Sequence, residues 1–310
     1  MRISLIAGLN NNSPLETCVR DLTRARDEGF GRVWMTQMPY DVDLLTVLAA
    51  AMPQVPDIEV GSGVVPIQNQ HPMLLAQRAL TLNMIADGRF TLGVGVTHRM
   101  VTEGMWGISW DKSVRRLREY LDGLLPLLAG REANAEGELV TTRGSLQIPN
   151  APTPEVYVAA LGPQMLRVAG RRAAGTVTWM TGPKTLKEHI GPELRAAAAE
   201  AGRPEGSVKV AAALPVSVTE DVDAARSLAA ERLVLYGQLP SYRAMLDREG
   251  FSGPEDAALI GSEEVVWHRL DELRAAGVDE FAGDMLDPSP DGRARSRACL
   301  HAWESRVSTS

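Results

Sequence analysis

Cysteine is nearly absent: Cys18 and Cys299 are the only two in 310 residues, and they lie far apart along the chain. That excludes a disulfide framework and a cysteine-ligated zinc site, and it points to a reducing compartment. Histidine is scarce as well. Its five copies, His71, His98, His189, His268 and His301, are dispersed, so no metal centre is expected. No apolar stretch approaches the ~20 residues of a membrane span. Basic runs are missing too, and 32 Lys and Arg stand against 39 Asp and Glu for a net charge of −7, which argues against a nucleic-acid partner. The opening segment carries one arginine and a short apolar run that stops at Asn10-Asn11-Asn12. It reads as a buried first strand and not as a signal peptide. The expectation is a cytoplasmic enzyme acting on a small molecule, with no membrane or nucleic-acid partner.

What is present is apolar residues, 45% of the chain. A chain near this length buries roughly 75% of its unfolded surface, enough to fold without staples. Short apolar runs at 3–7, 33–35, 58–65, 90–96, 156–160, 176–180, 208–218 and 278–282 alternate with helix-like stretches such as 15–28, 74–85 and 114–128. Several runs lack in/out alternation, as strands of a parallel sheet covered on both faces do. Many helical stretches stop at a glycine, as in Glu28-Gly29, Asp87-Gly88 and Ala276-Gly277. Repeated βα units of this number predict an α/β fold, a single (β/α)8 TIM barrel over residues 1–310. Two insertions interrupt it. One, near 131–154, carries an expected hairpin of 138–142 with 145–148, and the other, near 236–262, reads as helices joined by loops. In such a barrel the chemistry belongs to the loops that follow the strand C-termini.

Common nucleotide and hydrolase motifs fail. Gly93-Val94-Gly95 is not completed to a dinucleotide fingerprint, and there is neither a Walker A sequence nor an HExxH. Ser109-Trp110-Asp111-Lys112 matches SxxK but lacks the companion SDN and KTG elements, so it is read as chance.

The specific signal runs from Gly61-Ser62-Gly63-Val64-Val65-Pro66 through Gln70-His71-Pro72 to Asp87-Gly88-Arg89-Phe90-Thr91-Leu92-Gly93-Val94-Gly95. A second match is Tyr157-Val158-Ala159-Ala160-Leu161-Gly162-Pro163-Gln164-Met165-Leu166. Together these resemble the bacterial-luciferase-like superfamily, and most nearly its actinobacterial, coenzyme F420-dependent oxidoreductases. The likeness follows the order of elements over about residues 1 to 285. It implies a luciferase-like barrel, a homodimer, and hydride transfer between the deazaflavin and a small organic substrate across a C=C, C=N or C=O bond. Two alternatives stay open: an FMN-dependent monooxygenase, and a cofactor- or ligand-binding protein without catalysis.

The resemblance also assigns residues. A non-prolyl cis bond at Gly63-Val64 is expected to back the isoalloxazine ring, with Thr97 beside it. The turn Gly162, Pro163, Gln164 and Met165 and the next loop, with Thr181 and Gly182, are expected to hold the cofactor phosphate. A helix start with free N–H groups suits an anion, and proline in the first turn forfeits no hydrogen bond. His98 stands where relatives often carry a carboxylate acid, and an imidazole near neutral pH can give or take a proton. Gln37 stands where relatives commonly offer a histidine, so that catalytic position carries no acid or base.

Overall fold

Inward and outward residues of the strands face two different apolar environments, and this closes the sheet. The computed structural model describes residues 1–308, so the last two positions of the domain expected over 1–310 lie outside the described residues. Its strands are β1 (Arg2–Ala7), β2 (Arg32–Met35), β3 (Glu59–Ser62), β4 (Val65–Pro66), β5 (Phe90–Gly95), β6 (Ala133–Ala135) and β7 (Thr142–Gly144), then β8 (Val156–Ala159), β9 (Gly175–Trp179), β10 (Lys209–Val218), β11 (Leu259–Gly261) and β12 (Glu280–Met285). Eight of them pair in parallel in the order β1-β2-β3-β5-β8-β9-β10-β12 and back to β1. The helices are α1 (Pro14–Asp27), α2 (Leu44–Ala51), α3 (Pro72–Ile85), α4 (Arg99–Gly104), α5 (Ser113–Leu128) and α6 (Pro163–Arg172), then α7 (Pro183–Thr185), α8 (Gly191–Glu200), α9 (Val222–Gln238), α10 (Pro240–Glu249), α11 (Glu263–Ala275) and α12 (Pro290–Ser308). None is long and apolar enough to cross a membrane among the described residues.

The barrel interior is a separate small core of Trp34, Tyr157, Val177, Ala211, Ala213 and Ala282, edged by Ile6, Val64, Ala159 and Trp179. The outward strand residues join the larger core under the helices, for example Ile3, Val33, Val60 and Phe281. At the N-terminal end the interior is closed by charge. Arg32 of β2 donates to Glu280 of β12 (Nη1 to Oε2, 2.8 Å) and to Glu59 of β3 (Nε to Oε2, 2.9 Å), while Trp34 Nε1 donates to Glu280 Oε1 at 2.8 Å. Burial works against the charge on Arg32, but Glu280 and Glu59 hold its pKa above the ordinary value.

Three expectations need correction. The hairpin forms between β6 and β7, not between 138–142 and 145–148. Glu119 of α5 accepts from the N–H groups of Leu139 and Val140 and holds that stretch as a loop. The later excursion starts inside α9, which is one continuous helix to Gln238, and it ends in a strand, β11, which pairs with the far end of β10. The last barrel strand begins two residues after the expected 278 and runs on to Met285, which brings Asp284 into the sheet.

Candidate active site

All eight barrel strands run parallel, so one face collects their C-terminal ends. On that face the chain between β3 and β4 turns through a cis bond at Gly63-Val64. Pairing with β5 passes from Gly61↔Thr91 to Val65↔Val94, so one extra residue is accommodated, a β-bulge. Gly63 and Val64 are half-buried, while Gly61, Ser62, Val65 and Pro66 on either side are buried. The bulge is therefore the part of this strand that meets the mouth. Glycines make room for it. A Cβ on Gly93 would lie 1.9 Å from the Ser62 carbonyl oxygen, and one on Gly95 would lie 2.9 Å from Val64 and 3.0 Å from Ala159. Ser62 locks the arrangement, its hydroxyl donating to the Gly93 carbonyl and accepting from the Gly93 N–H, both at 2.9 Å.

Thr97 follows β5, and its N–H donates to Gln68 Oε1 at 3.2 Å. The buried Gln68 Nε2 has no partner among the described residues, which leaves a donor for an acceptor on a bound group. His98 caps α4 without a side-chain capping bond, and its ring lies edge-on to Tyr242 of α10 at 6.0 Å. Tyr242 meets Tyr236 of α9 at 5.1 Å, and Tyr236 meets Trp179 of β9 at 5.8 Å. The excursion thus lays an aromatic strap over the mouth. Burial lowers the His98 pKa, so the ring is neutral at pH 7 and the imidazolium is disfavoured. Nearby Arg99 and Glu103 are exposed and loosely paired with each other at 3.9 Å.

Gln37 lies on the loop after β2, with its amide committed to that loop's backbone. Its Oε1 accepts from the Leu44 N–H at 2.7 Å and its Nε2 donates to the Met38 carbonyl at 3.0 Å. Of the aromatic and Met residues near strand ends, Trp34 and Trp179 do line the interior, whereas Met180 packs into the outer core.

The two glycine-bearing loops differ in openness. Gly162 precedes α6 with no side-chain cap, and a Cβ there would touch nothing within 4 Å. The N–H groups of Gln164 and Met165 have no intrahelical partner in the first turn, and Pro163 has none to offer. Thr181 is buried, with its hydroxyl turned back to the Trp179 carbonyl at 3.2 Å. Gly182 faces Glu249 of α10, whose carboxylate accepts from the Thr185 N–H. The chain's own carboxylate thus occupies that helix start, whereas the start of α6 at Gly162 is left open. His189 steadies it, with Nε2 2.8 Å from the Leu161 carbonyl.

Beside that turn runs a groove of about 650 Å³ between α5 and α6. Arg99, Lys112, Arg115 and Arg118 line one wall and Arg167, Arg171 and Arg172 the other, with Asp111 the lining acid. Lys112 and Arg115 share Glu138, and Arg172 pairs with Asp122. Arg118 makes no ion pair among the described residues. Sequence reading missed this groove, because its cations come from two helices at spacings that form no run. Asp284, just past the strand end expected from the sequence, lies within β12.

The chain is thus a closed parallel barrel with a bulge after its third strand and an open helix start after its fifth. The family model for luciferase-like monooxygenases matches residues 5–280, and the chain belongs to that family. The 5,10-methylenetetrahydromethanopterin reductase of Archaeoglobus fulgidus is 29% identical over 300 residues, covering 85% of this chain and 88% of the relative. Among solved structures, the coenzyme F420-dependent tetrahydromethanopterin reductase of Methanopyrus kandleri superposes with a TM-score of 0.79 at 21% identity, covering 97% of this chain and 98% of its own. The FMN complex of the oxygenating component of 3,6-diketocamphane monooxygenase from Pseudomonas putida superposes with a TM-score of 0.77 at 19% identity, covering 97% and 96%.

Proposed function

We propose that this chain is a coenzyme F420-dependent oxidoreductase that moves a hydride between the deazaflavin and a small organic substrate bearing a C=C, C=N or C=O bond. The observation that carries the reading is the half-buried bulge at Gly63-Val64, set in a mouth that Gly93 and Gly95 keep clear. The archaeal reductase relative and the F420-dependent fold neighbour support it. When bound, the coenzyme supplies the hydride. In this reading Gly63 and Val64 back the ring, and Thr97 and Gln68 border it. Gly162, Gln164 and Met165 hold the phosphate, with Pro163 setting the helix start and Thr181 and Gly182 walling the seat. His98 acts as a neutral hydrogen-bonding group against the substrate, and Gln37 shapes the second-strand loop. One domain, a homodimer and a cytoplasmic setting complete the reading. Exposed Leu74, Met84 and Ile85 on α3 fit a subunit contact, and the free buried thiols Cys18 and Cys299 fit a reducing compartment.

The FMN-dependent monooxygenase is the second reading, favoured by the FMN-bound fold neighbour. Titrating the protein with F420 and with FMN, followed by fluorescence quenching and oxygen uptake, separates the two. Tight FMN binding without F420 binding would overturn the proposal. The groove sharpens this test, because F420 carries carboxylates beyond its phosphate and FMN has none. Changing Arg118→Glu and Arg171→Glu together should weaken F420 about tenfold at low salt, some 1.4 kcal/mol, and the loss should shrink as salt screens it. FMN affinity should change little. Equal losses for both cofactors would remove the groove from the site.

A further inference from the structure

The acids buried in this protein have work to do. Glu280 holds Arg32 and Trp34, and Glu119 holds the amides of Leu139 and Val140. Asp284 does not. It lies opposite Ile6 of β1 and Pro215 of β10, four residues along β12 from Glu280. Strand alternation therefore puts Glu280, Ala282 and Asp284 on one side, and Ala282 belongs to the interior core. Asp284 thus faces inward at the mouth end, and it makes no hydrogen bond or ion pair among the described residues. Neither strand partner brings a titratable group. From α9, Arg232 and Tyr236 face it, one turn apart. Arg232 is held elsewhere, its Nη1 donating to the Leu286 carbonyl at 2.8 Å. Tyr236 belongs to the aromatic strap that runs to His98.

We propose that Asp284 is a catalytic residue of this mouth, the group that exchanges a proton with the substrate as the hydride is exchanged with the cofactor. The inference rests on the hydride-transfer reading above. For a carbonyl substrate, the hydride's electron pair forms the new C–H bond and the C=O π pair moves onto oxygen. That oxygen takes the carboxyl proton of Asp284, and water restores the proton to the carboxylate. Oxidation of the alcohol runs the same steps backwards. Neutral His98 is poorly placed to be the donor, because burial disfavours its charged form. Burial has the opposite consequence for Asp284. It pushes the carboxyl up to about 6, with Arg232 partly offsetting it, so the acid holds a proton under mildly acidic conditions where an ordinary aspartate has lost it.

The test uses the full chain, reduced F420 and a panel of acetone, cyclohex-2-enone and a cyclic imine. Asp284→Asn should lower kcat by about 100-fold. F420 affinity, read by fluorescence, should stay within about twofold. Asp284→Glu should restore part of kcat. In the wild type, kcat for reduction should decline as pH rises through the carboxyl's pKa, and this limb should vanish in Asp284→Asn. Unchanged kcat and pH profile in Asp284→Asn would overturn the proposal. An independent readout needs no cofactor: infrared difference spectra of the unloaded protein should show a carboxyl titrating near pH 6 that Asp284→Asn lacks. An Asp284 already ionised at pH 5 overturns the assignment even if F420 binds, whereas failure to bind F420 or to turn over any acceptor overturns the hydride-transfer reading itself.

Discussion

Gly93→Ala should destabilise the protein by about 3 kcal/mol and abolish cofactor binding. The reason is backbone against backbone. The added methyl would sit 1.9 Å from the Ser62 carbonyl oxygen, and no side-chain rotation can move that atom. Relief requires β3 and β5 to part where Ser62 makes its two hydrogen bonds to Gly93, immediately before the cis bulge. Melting should show a Tm lower by on the order of 5–10 °C. Titration with F420 should show no quenching even at temperatures where the variant is folded. The matched control is Gly162→Ala, where the methyl meets nothing within 4 Å. That variant should melt with the wild type yet bind cofactor more weakly, because the methyl enters the open seat over the α6 turn. A Gly93→Ala variant that binds F420 normally would show that the bulge is not the cofactor's support.

Glu280→Ala should cost about 3–5 kcal/mol, because it strands a buried guanidinium. Arg32 and Glu280 are 8% and 6% exposed, and the same carboxylate accepts from Trp34 Nε1, so one truncation leaves two buried donors without their acceptor. Glu59 remains as a partner for Arg32, which sets the lower end of the range. Chemical denaturation at constant pH reads the loss directly. Glu280→Gln keeps an acceptor for Trp34 and should lose roughly half as much. The effect should reach the mouth. A Cβ on Gly61 would come 2.5 Å from the Trp34 ring, so that ring is the floor beneath β3 as it enters the bulge. Looser Trp34 packing should weaken F420 binding in proportion to the lost stability. Stability unchanged from the wild type would mean that the network is not a determinant of the closed barrel end.

The bulge was legible only through the family resemblance, because the contacts that require it join β3 to β5, which lie apart in the chain. Gly61, Gly63, Gly93 and Gly95 sit in strand runs where glycine ordinarily weakens packing, and close approach is the physical reason to find it there. The Gly162-Pro163 turn was legible directly, since it is a helix start written in consecutive residues. The hairpin at 133–144 was not, because what places it is Glu119, a residue on α5 far back in the chain. Gln37 shows the same limit. Its position matched a catalytic slot, but only the folded loop shows its amide spent on Leu44 and Met38.

The order of apolar runs and helix stops by itself determined a parallel eight-stranded barrel, because that follows from periodicity, while the position of its bulge came from the family resemblance. Scarce cysteine and the absence of a basic run set expectations only. Only the tertiary structure decided which charges act together. Seven cations from α4, α5, α6 and the segments between them meet in one groove on a chain of net negative charge. Asp284 and Glu280 share one face of one strand, yet one is neutralised by Arg32 and the other is left unpaired at the mouth. The reason is that an ionisable group's chemistry is set by its burial and its partners in space, and neither is a property of the sequence around it.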